Sequence, residues 1–83
     1  MEITAKALIV EGVVKVYFYN KETQERVPLW SQDENNLKQI LGQEKLNSLT
    51  EQILAFQKTL GTDTSEETLN KLTEEANRLL LVL

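Results

Sequence analysis

Three aromatic and three basic residues near the start of the chain have the types and spacing of a binding surface. They are Lys6, Lys15, Tyr17, Tyr19, Arg26 and Trp30. Aromatic rings can stack on unpaired bases while cations neutralise phosphate. Tyr, Trp and Arg are also enriched at protein interfaces. The pattern predicts a partner-binding face for another protein, with single-stranded nucleic acid as the alternative partner. Ordinary cross-strand pairs on a solvated sheet are the third interpretation.

Residues suited to catalysis are scarce. The chain has neither Cys nor His, which excludes the common zinc sites and the Ser-His and Cys-His nucleophile pairs. The carboxylate pairs at 66–67 and 74–75 fall beside a helix cap or on a polar helix face, where solvated charge explains them. The glycines lie too far apart for a phosphate-binding loop. We therefore expect no enzymatic activity, no cofactor and no metal.

The charge of the chain is unevenly distributed. Residues 1–30 carry four basic and four acidic side chains, whereas residues 31–83 carry five basic and nine acidic ones and so the whole net charge of −4. Phosphate binding depends on net positive charge. The acidic second part therefore favours a protein partner over nucleic acid, and a small acidic module can act as an inhibitor or adaptor on a basic surface.

The first part of the chain is rich in strand-forming residues. Segments 2–10 and 13–19, separated by Glu11-Gly12, predict a tight β-hairpin in which Val10 lies opposite Val13. This register gathers one apolar face: Ile3, Ala5, Ala7, Ile9, Val14, Val16 and Phe18. Segment 26–30 predicts a third, edge strand, where Pro28 is tolerated. If Arg26 pairs with Tyr19, then Val27 and Leu29 join the apolar face.

The second part of the chain has helical periodicity. Ser31 to Glu34 forms a capping-box pattern that predicts a helix start at Ser31. We expect a break or a sharp kink at Gly42, because on one straight helix the apolar residues 37–41 would lie about 120–180° from the following apolar stripe. Apolar residues spaced by three and four in segments 44–60 and 69–83 predict an antiparallel helical hairpin. Asp63 or Thr64 is the predicted N-cap of the last helix.

The last helix becomes apolar on all sides after Arg78. The residues involved are Leu79, Leu80, Leu81, Val82 and Leu83. A helix end of this kind must be covered either by the rest of the chain or by a second subunit. The N-terminus lacks a signal-peptide pattern, and no apolar run is long enough to span a bilayer. We expect self-association through this end or through a sheet edge, a cytoplasmic location and no membrane partner.

These patterns predict an α+β fold in a single domain over residues 1–83. A three-stranded antiparallel β-meander over residues 1–30 precedes three helices over residues 31–83, of which the last two form an antiparallel helical hairpin. The predicted function is that of a small non-enzymatic protein–protein interaction module, an adaptor or an inhibitor and regulator, that forms a homodimer. The alternative is a single-stranded nucleic-acid-binding protein that uses the aromatic and basic sheet face.

Overall fold

The computed structural model describes residues 2–83 and has two strands followed by three helices. Strand β1 spans Ile3–Val10 and strand β2 spans Val13–Asn20; helix α1 spans Leu37–Leu41, α2 spans Gln43–Leu60 and α3 spans Glu66–Val82. The predicted α+β class and the number of helices are confirmed. The predicted three-stranded meander is wrong, because within the described residues the antiparallel sheet has two strands.

The hairpin has the predicted register. Glu11 and Gly12 have φ angles of 53° and 78°, and positive φ at both central residues is what a type I′ turn requires. The turn sets Val10 opposite Val13, and pairing continues without a bulge to the far end of both strands. The apolar face is thereby formed as expected, although Ile9, beside the turn, is 46% exposed.

The predicted third strand ends almost where it begins. Arg26 forms an isolated antiparallel bridge with Tyr19, which is the predicted pairing. Val27 is buried, as expected for the apolar face, whereas Leu29 is 61% exposed. The chain therefore leaves the sheet after Val27.

The first turn of α1 accounts for this departure. The carbonyl of Pro28 accepts a hydrogen bond from the N–H of Leu37 at 2.9 Å, and the carbonyl of Leu29 accepts one from Lys38 at 3.3 Å. Pro28 has no N–H to donate to a ladder. The backbone of this segment therefore satisfies the free N–H groups at a helix start rather than pairing with β2.

The predicted helix start at Ser31 is also wrong. Asn36 is the N-cap of α1, and its Oδ1 accepts a hydrogen bond from Gln39 N–H at 3.0 Å. Ser31 Oγ instead donates to the Asp33 carboxylate at 2.9 Å, and Asn36 Nδ2 donates to the Asp33 carbonyl at 2.7 Å. Short polar side chains can hold turns in this way in competition with a helix. The capping groups are thus used within a loop.

The predicted interruption at Gly42 is confirmed, and it is a break rather than a kink. Gly42 separates α1 from α2 with φ 87° and ψ 154°, a conformation that is essentially restricted to glycine. The change of direction lets both helices bury apolar side chains in one cluster, which contains Val27, Leu37 and Leu46.

Helices α2 and α3 form the predicted antiparallel hairpin. Lys45 Nζ, near the start of α2, donates to the carbonyl of Leu80, near the end of α3, at 3.1 Å. Helix α3 lies against β1, where two alanines permit close approach. The main core contains Ala5, Ala7, Leu49, Ile53, Leu72, Ala76 and Leu79.

The N-cap of α3 is Ser65, so the predicted caps at Asp63 and Thr64 are wrong. Ser65 Oγ accepts a hydrogen bond from Thr68 N–H at 3.3 Å. The Asp63 carboxylate supports this cap by accepting from Thr68 Oγ1 at 2.6 Å and from Ser65 N–H at 3.0 Å. The hydrogen bond from the Thr68 hydroxyl, followed by those from Ser65, lowers the pKa of Asp63.

Candidate functional site

The predicted binding face lies on the side of the hairpin opposite the helices. The register sets Lys6 directly opposite Tyr17, and Lys15 and Tyr19 lie on the same face. The Arg26 guanidinium lies over the ring of Tyr17, 3.9 Å from its centroid, which is a cation–π contact. The bridge between Arg26 and Tyr19 thus brings a cation from the following loop onto the sheet.

This arrangement leaves few open rings. Arg26 occupies one face of Tyr17, and both tyrosines are partly buried. Trp30 is 64% exposed but belongs to the irregular segment between β2 and α1. Stacking of successive bases needs accessible ring faces. Base stacking on Tyr17 would therefore require Arg26 to move.

An open groove of about 450 Å³ lies along the edge of β2 that faces away from β1. One wall is β2 itself over residues 14–18, and the opposite wall is α2. One end is closed by the segment that leaves the sheet. The lining outside β2 comprises Arg26, Val27, Leu29 and Leu37 at that end and Thr50, Ile53, Leu54 and Gln57 on the α2 side. Its charged lining groups are Lys15 and Arg26, both basic.

Three of the six predicted face residues line this groove: Lys15, Tyr17 and Arg26. Lys6, Tyr19 and Trp30 do not contribute to its lining. The groove itself was not predicted from the sequence, because the third strand was expected to fill this position. Leu54 is the signal that could have indicated it, since this apolar residue falls outside the three-and-four spacing that forms the buried stripe of α2.

The β2 edge in the groove has unpaired backbone groups. Alternate residues of an antiparallel strand direct their N–H and C=O groups to the same side. On this edge the carbonyl of Phe18 accepts from Val27 N–H at 2.8 Å, and the carbonyl of Val14 accepts from Gln57 Nε2 at 3.0 Å. Within residues 2–83, neither the N–H nor the carbonyl of Val16, which lies between them, has a protein partner. Such groups are a template for another strand.

The opposite edge of the sheet is closed by α3. Asn77 Oδ1 accepts from Ala5 N–H at 2.8 Å, and Asn77 Nδ2 donates to the Ala5 carbonyl at 3.0 Å. Thr73 Oγ1 accepts from Ala7 N–H at 2.9 Å. These side chains satisfy β1 much as a neighbouring strand would. Of the two sheet edges, the β2 edge is therefore the one available for pairing.

The predicted self-association residues divide into two groups. Leu79 is 1% exposed and belongs to the core, and Leu80 is partly buried against it. In contrast, Leu81, Val82 and Leu83 are 87%, 62% and 38% exposed. The rest of the chain therefore covers the first part of the apolar run and leaves the last part at the surface.

One carboxylate of each predicted pair, Glu67 and Glu75, binds a basic side chain on the surface of α3. Glu75 accepts two hydrogen bonds from Arg78, at 2.7 and 2.8 Å, which lower the pKa of Glu75. Glu67 forms an ion pair with Lys71 at 3.4 Å. Over residues 2–83 no three acidic, His or Cys side chains form a group that could hold a metal ion. Nor does any described helix combine the length and apolar character needed to cross a membrane.

No protein-family model matches the sequence, and neither a curated protein nor a solved structure is significantly similar to it. The groove, the open β2 edge and the basic groups beside them are therefore the features on which a functional assignment depends.

Proposed function

We propose that the chain is a small non-enzymatic module that binds another protein in the groove beside β2. The observation that carries this proposal is the open, mainly apolar groove next to unpaired strand backbone. Leu29 and Leu54 line it and are 61% and 53% exposed. Exposed apolar groups gathered around a groove favour an interaction site.

A module that binds another protein and catalyses no reaction can act as an adaptor or as an inhibitor. Segment 31–83, which contains the helices and their connecting loops, has a net charge of −4, and an excess of one sign speeds association with an oppositely charged surface. A partner with a basic region near its groove-binding segment is therefore favoured by the charge distribution of the module.

Site-specific cross-linking tests this function. The photoreactive residue p-benzoylphenylalanine replaces Leu54 in the groove, and in a control it replaces Asn70, an exposed residue of α3. Both chains are irradiated in cells that express them, and cross-linked proteins are identified by mass spectrometry. The partner is then purified, and its affinity for the unmodified chain and for Leu54→Lys is measured by calorimetry.

We expect one identified protein to cross-link at position 54 and not at position 70, and to bind the unmodified chain more tightly than Leu54→Lys. Burying a leucine side chain contributes enough free energy for the affinity to fall about tenfold or more when it is replaced by a charge. Cross-linking that is absent at position 54, or equal at both positions, would contradict the proposal.

The nucleic-acid alternative stays a prediction, and the contact of Arg26 with Tyr17 does not favour it. Titration of Trp30 fluorescence with mixed single-stranded DNA and RNA tests it directly. Salt-sensitive quenching that is lost in the double variant Lys15→Glu, Arg26→Glu would support this alternative.

A further inference from the structure

We propose that the partner enters the groove as an extended segment and pairs with β2 as a third, antiparallel strand. We further infer that this segment alternates apolar and acidic residues. The inference rests on the proposed function of the same groove and specifies the chemistry of its occupant.

The open edge has a defined length and direction. It begins after the turn at Gly12 and ends where Val27 pairs with Phe18, so it accommodates about five residues at the usual strand rise. The bridge between Arg26 and Tyr19 is already antiparallel. An added strand in the same direction continues from this bridge and occupies the position that the chain vacates after Val27.

Backbone pairing centres on Val16. The N–H and carbonyl of this residue are directed into the groove without a protein partner, and a peptide residue placed opposite can satisfy both. The Gln57 side chain already donates to the neighbouring Val14 carbonyl, so this edge accepts an amide donor from the groove side. Main-chain pairing of this kind provides affinity in strand addition.

The two walls of the groove determine the side chains of the added strand. Side chains of adjacent strands share a face when they lie directly opposite each other. Peptide residues on the helix side meet Ile53, Leu54 and Leu29, which are apolar, whereas residues on the outer side meet Lys15 and Arg26. An alternating sequence of apolar and acidic residues satisfies both sides.

A second copy of the chain fits this edge poorly. Two-fold pairing centred on Lys15 sets two ammonium groups opposite each other, which is destabilising. Pairing centred on Val16 requires Phe18, whose carbonyl already accepts from Val27. Registers closer to the turn leave too few residues to pair. The occupant is therefore a different chain.

Labelled peptides of three Glu-Val repeats test the proposal against the full-length protein by fluorescence anisotropy. When a valine of the peptide lies opposite Val16, its side chain faces the apolar wall and the valine amides point to β2, whereas the glutamate amides point away from β2. N-methylation of the valine amides should weaken binding about tenfold or more through lost hydrogen bonds, whereas N-methylation of the glutamate amides should not. The amide resonance of Val16 should shift on binding in ¹⁵N spectra.

Charge reversal provides the matched variants. Lys15→Glu should weaken binding of the Glu-Val peptide about fivefold and strengthen binding of a Lys-Val peptide. Lys21→Glu makes the same change in net charge at an exposed residue that does not line the groove, and it should leave the preference between the two peptides unchanged.

The proposal is overturned if both N-methylated peptides bind equally, if Lys15→Glu and Lys21→Glu behave alike, or if the free chain is a dimer with a protected Val16 amide. The outcomes also distinguish failure of strand addition from failure of the proposed function. A partner that cross-links at position 54 without these strand signatures overturns strand addition alone, whereas no cross-link and no peptide binding overturns both.

Discussion

The Asn77 side chain makes the backbone hydrogen bonds that a neighbouring strand would make along the β1 edge. Its side-chain amide pairs with both backbone groups of Ala5, and its Oδ1 also accepts from Thr4 Oγ1 at 3.2 Å. Its Nδ2 donates in addition to the Thr73 carbonyl, one helical turn earlier, at 3.0 Å. Because a buried backbone group without a partner is costly, one side chain both closes the edge and fixes α3 against β1.

Replacing Asn77 with alanine should therefore destabilise the fold. We expect Asn77→Ala to lower the free energy of unfolding by about 2 kcal/mol, since it leaves Ala5 N–H and C=O unpaired beside the helix. Asn70→Ala, on the exposed face of the same helix, should change it by less than about 0.5 kcal/mol. Urea unfolding followed by circular dichroism measures both. Equal effects of the two substitutions would show that the edge contacts do not stabilise the fold.

Asp63 should make stability depend on pH. Hydrogen bonds from Thr68 and Ser65 hold its pKa below the ordinary value of 3.8 in the folded chain. A lowered folded-state pKa contributes stability that is present above the unfolded-state value and is lost as the pH falls through the folded-state value. The stability difference between the unmodified chain and Asp63→Asn should therefore shrink as the pH falls below about 5 and through the lowered folded-state pKa of Asp63.

Urea midpoints measured across this range check the dependence on Asp63. Glu51→Gln is the control, because Glu51 is exposed on α2 and its side chain has no hydrogen bond or ion pair to the described part of the chain. A difference between Asp63→Asn and the unmodified chain that stays constant with pH would contradict the role given to the carboxylate.

Among the secondary-structure elements, those with a clear apolar periodicity were predicted correctly from the sequence. The hairpin register follows from alternation of apolar residues around Glu11-Gly12, and α2 and α3 follow from spacings of three and four. The prediction for segment 28–36 was wrong because the local signals in this segment favour more than one structure. The carbonyls of Pro28 and Leu29 can pair with either a strand or a helix start, and Asp33 and Asn36 can hold a loop as well as a cap.

The candidate site was only partly predictable from the sequence, because part of it depends on how the elements pack. Lys15, Tyr17 and Arg26 were selected from their types and their positions on the hairpin, and they do line the groove. The α2 wall with Leu54 and Gln57 depends on how the helices pack across the sheet. Periodicity assigns residues to a face of one element, but it does not determine which two elements leave a space between them.

The stability of the chain should depend on a glycine at position 42, where α1 connects to α2. A Cβ at this position would meet nothing within 4 Å, so any effect of a substitution arises from the backbone conformation. With φ 87° and ψ 154°, Gly42→Ala should lower the free energy of unfolding by about 1–3 kcal/mol.

A chemically synthesised chain with D-alanine at position 42 is the matched control, because the D-residue adopts positive φ without strain. We expect its thermal unfolding midpoint to equal or exceed that of the glycine chain, since the unfolded state also loses conformational freedom. Equal destabilisation by L- and D-alanine would show that the break does not depend on the positive φ of Gly42.

The molecule has two candidate interaction surfaces that are formed by different residues. The groove beside β2 is one. The other is the end of α3, where Leu80 and Leu81 border a depression of about 500 Å³ together with Ile3, Ile40 and Leu41. The two surfaces share no lining residue. Binding of a partner in the groove and pairing of two chains through α3 are therefore compatible.

The chain should self-associate through the end of α3, independently of the groove beside β2. We expect a dimer in which Leu81 and Val82, now 87% and 62% exposed, become covered by the second chain. Leu81→Lys should raise the dissociation constant of the dimer about ten- to hundredfold, because it replaces a buried leucine by a charge at the interface. Leu54→Lys, in the groove, should leave the dimer intact.

Light scattering during size-exclusion chromatography gives the mass of each variant over a range of concentrations. A single-chain mass for the unmodified protein, or a dimer that persists unchanged in Leu81→Lys, would contradict the prediction, and loss of the dimer in Leu54→Lys would show that the two surfaces are not independent.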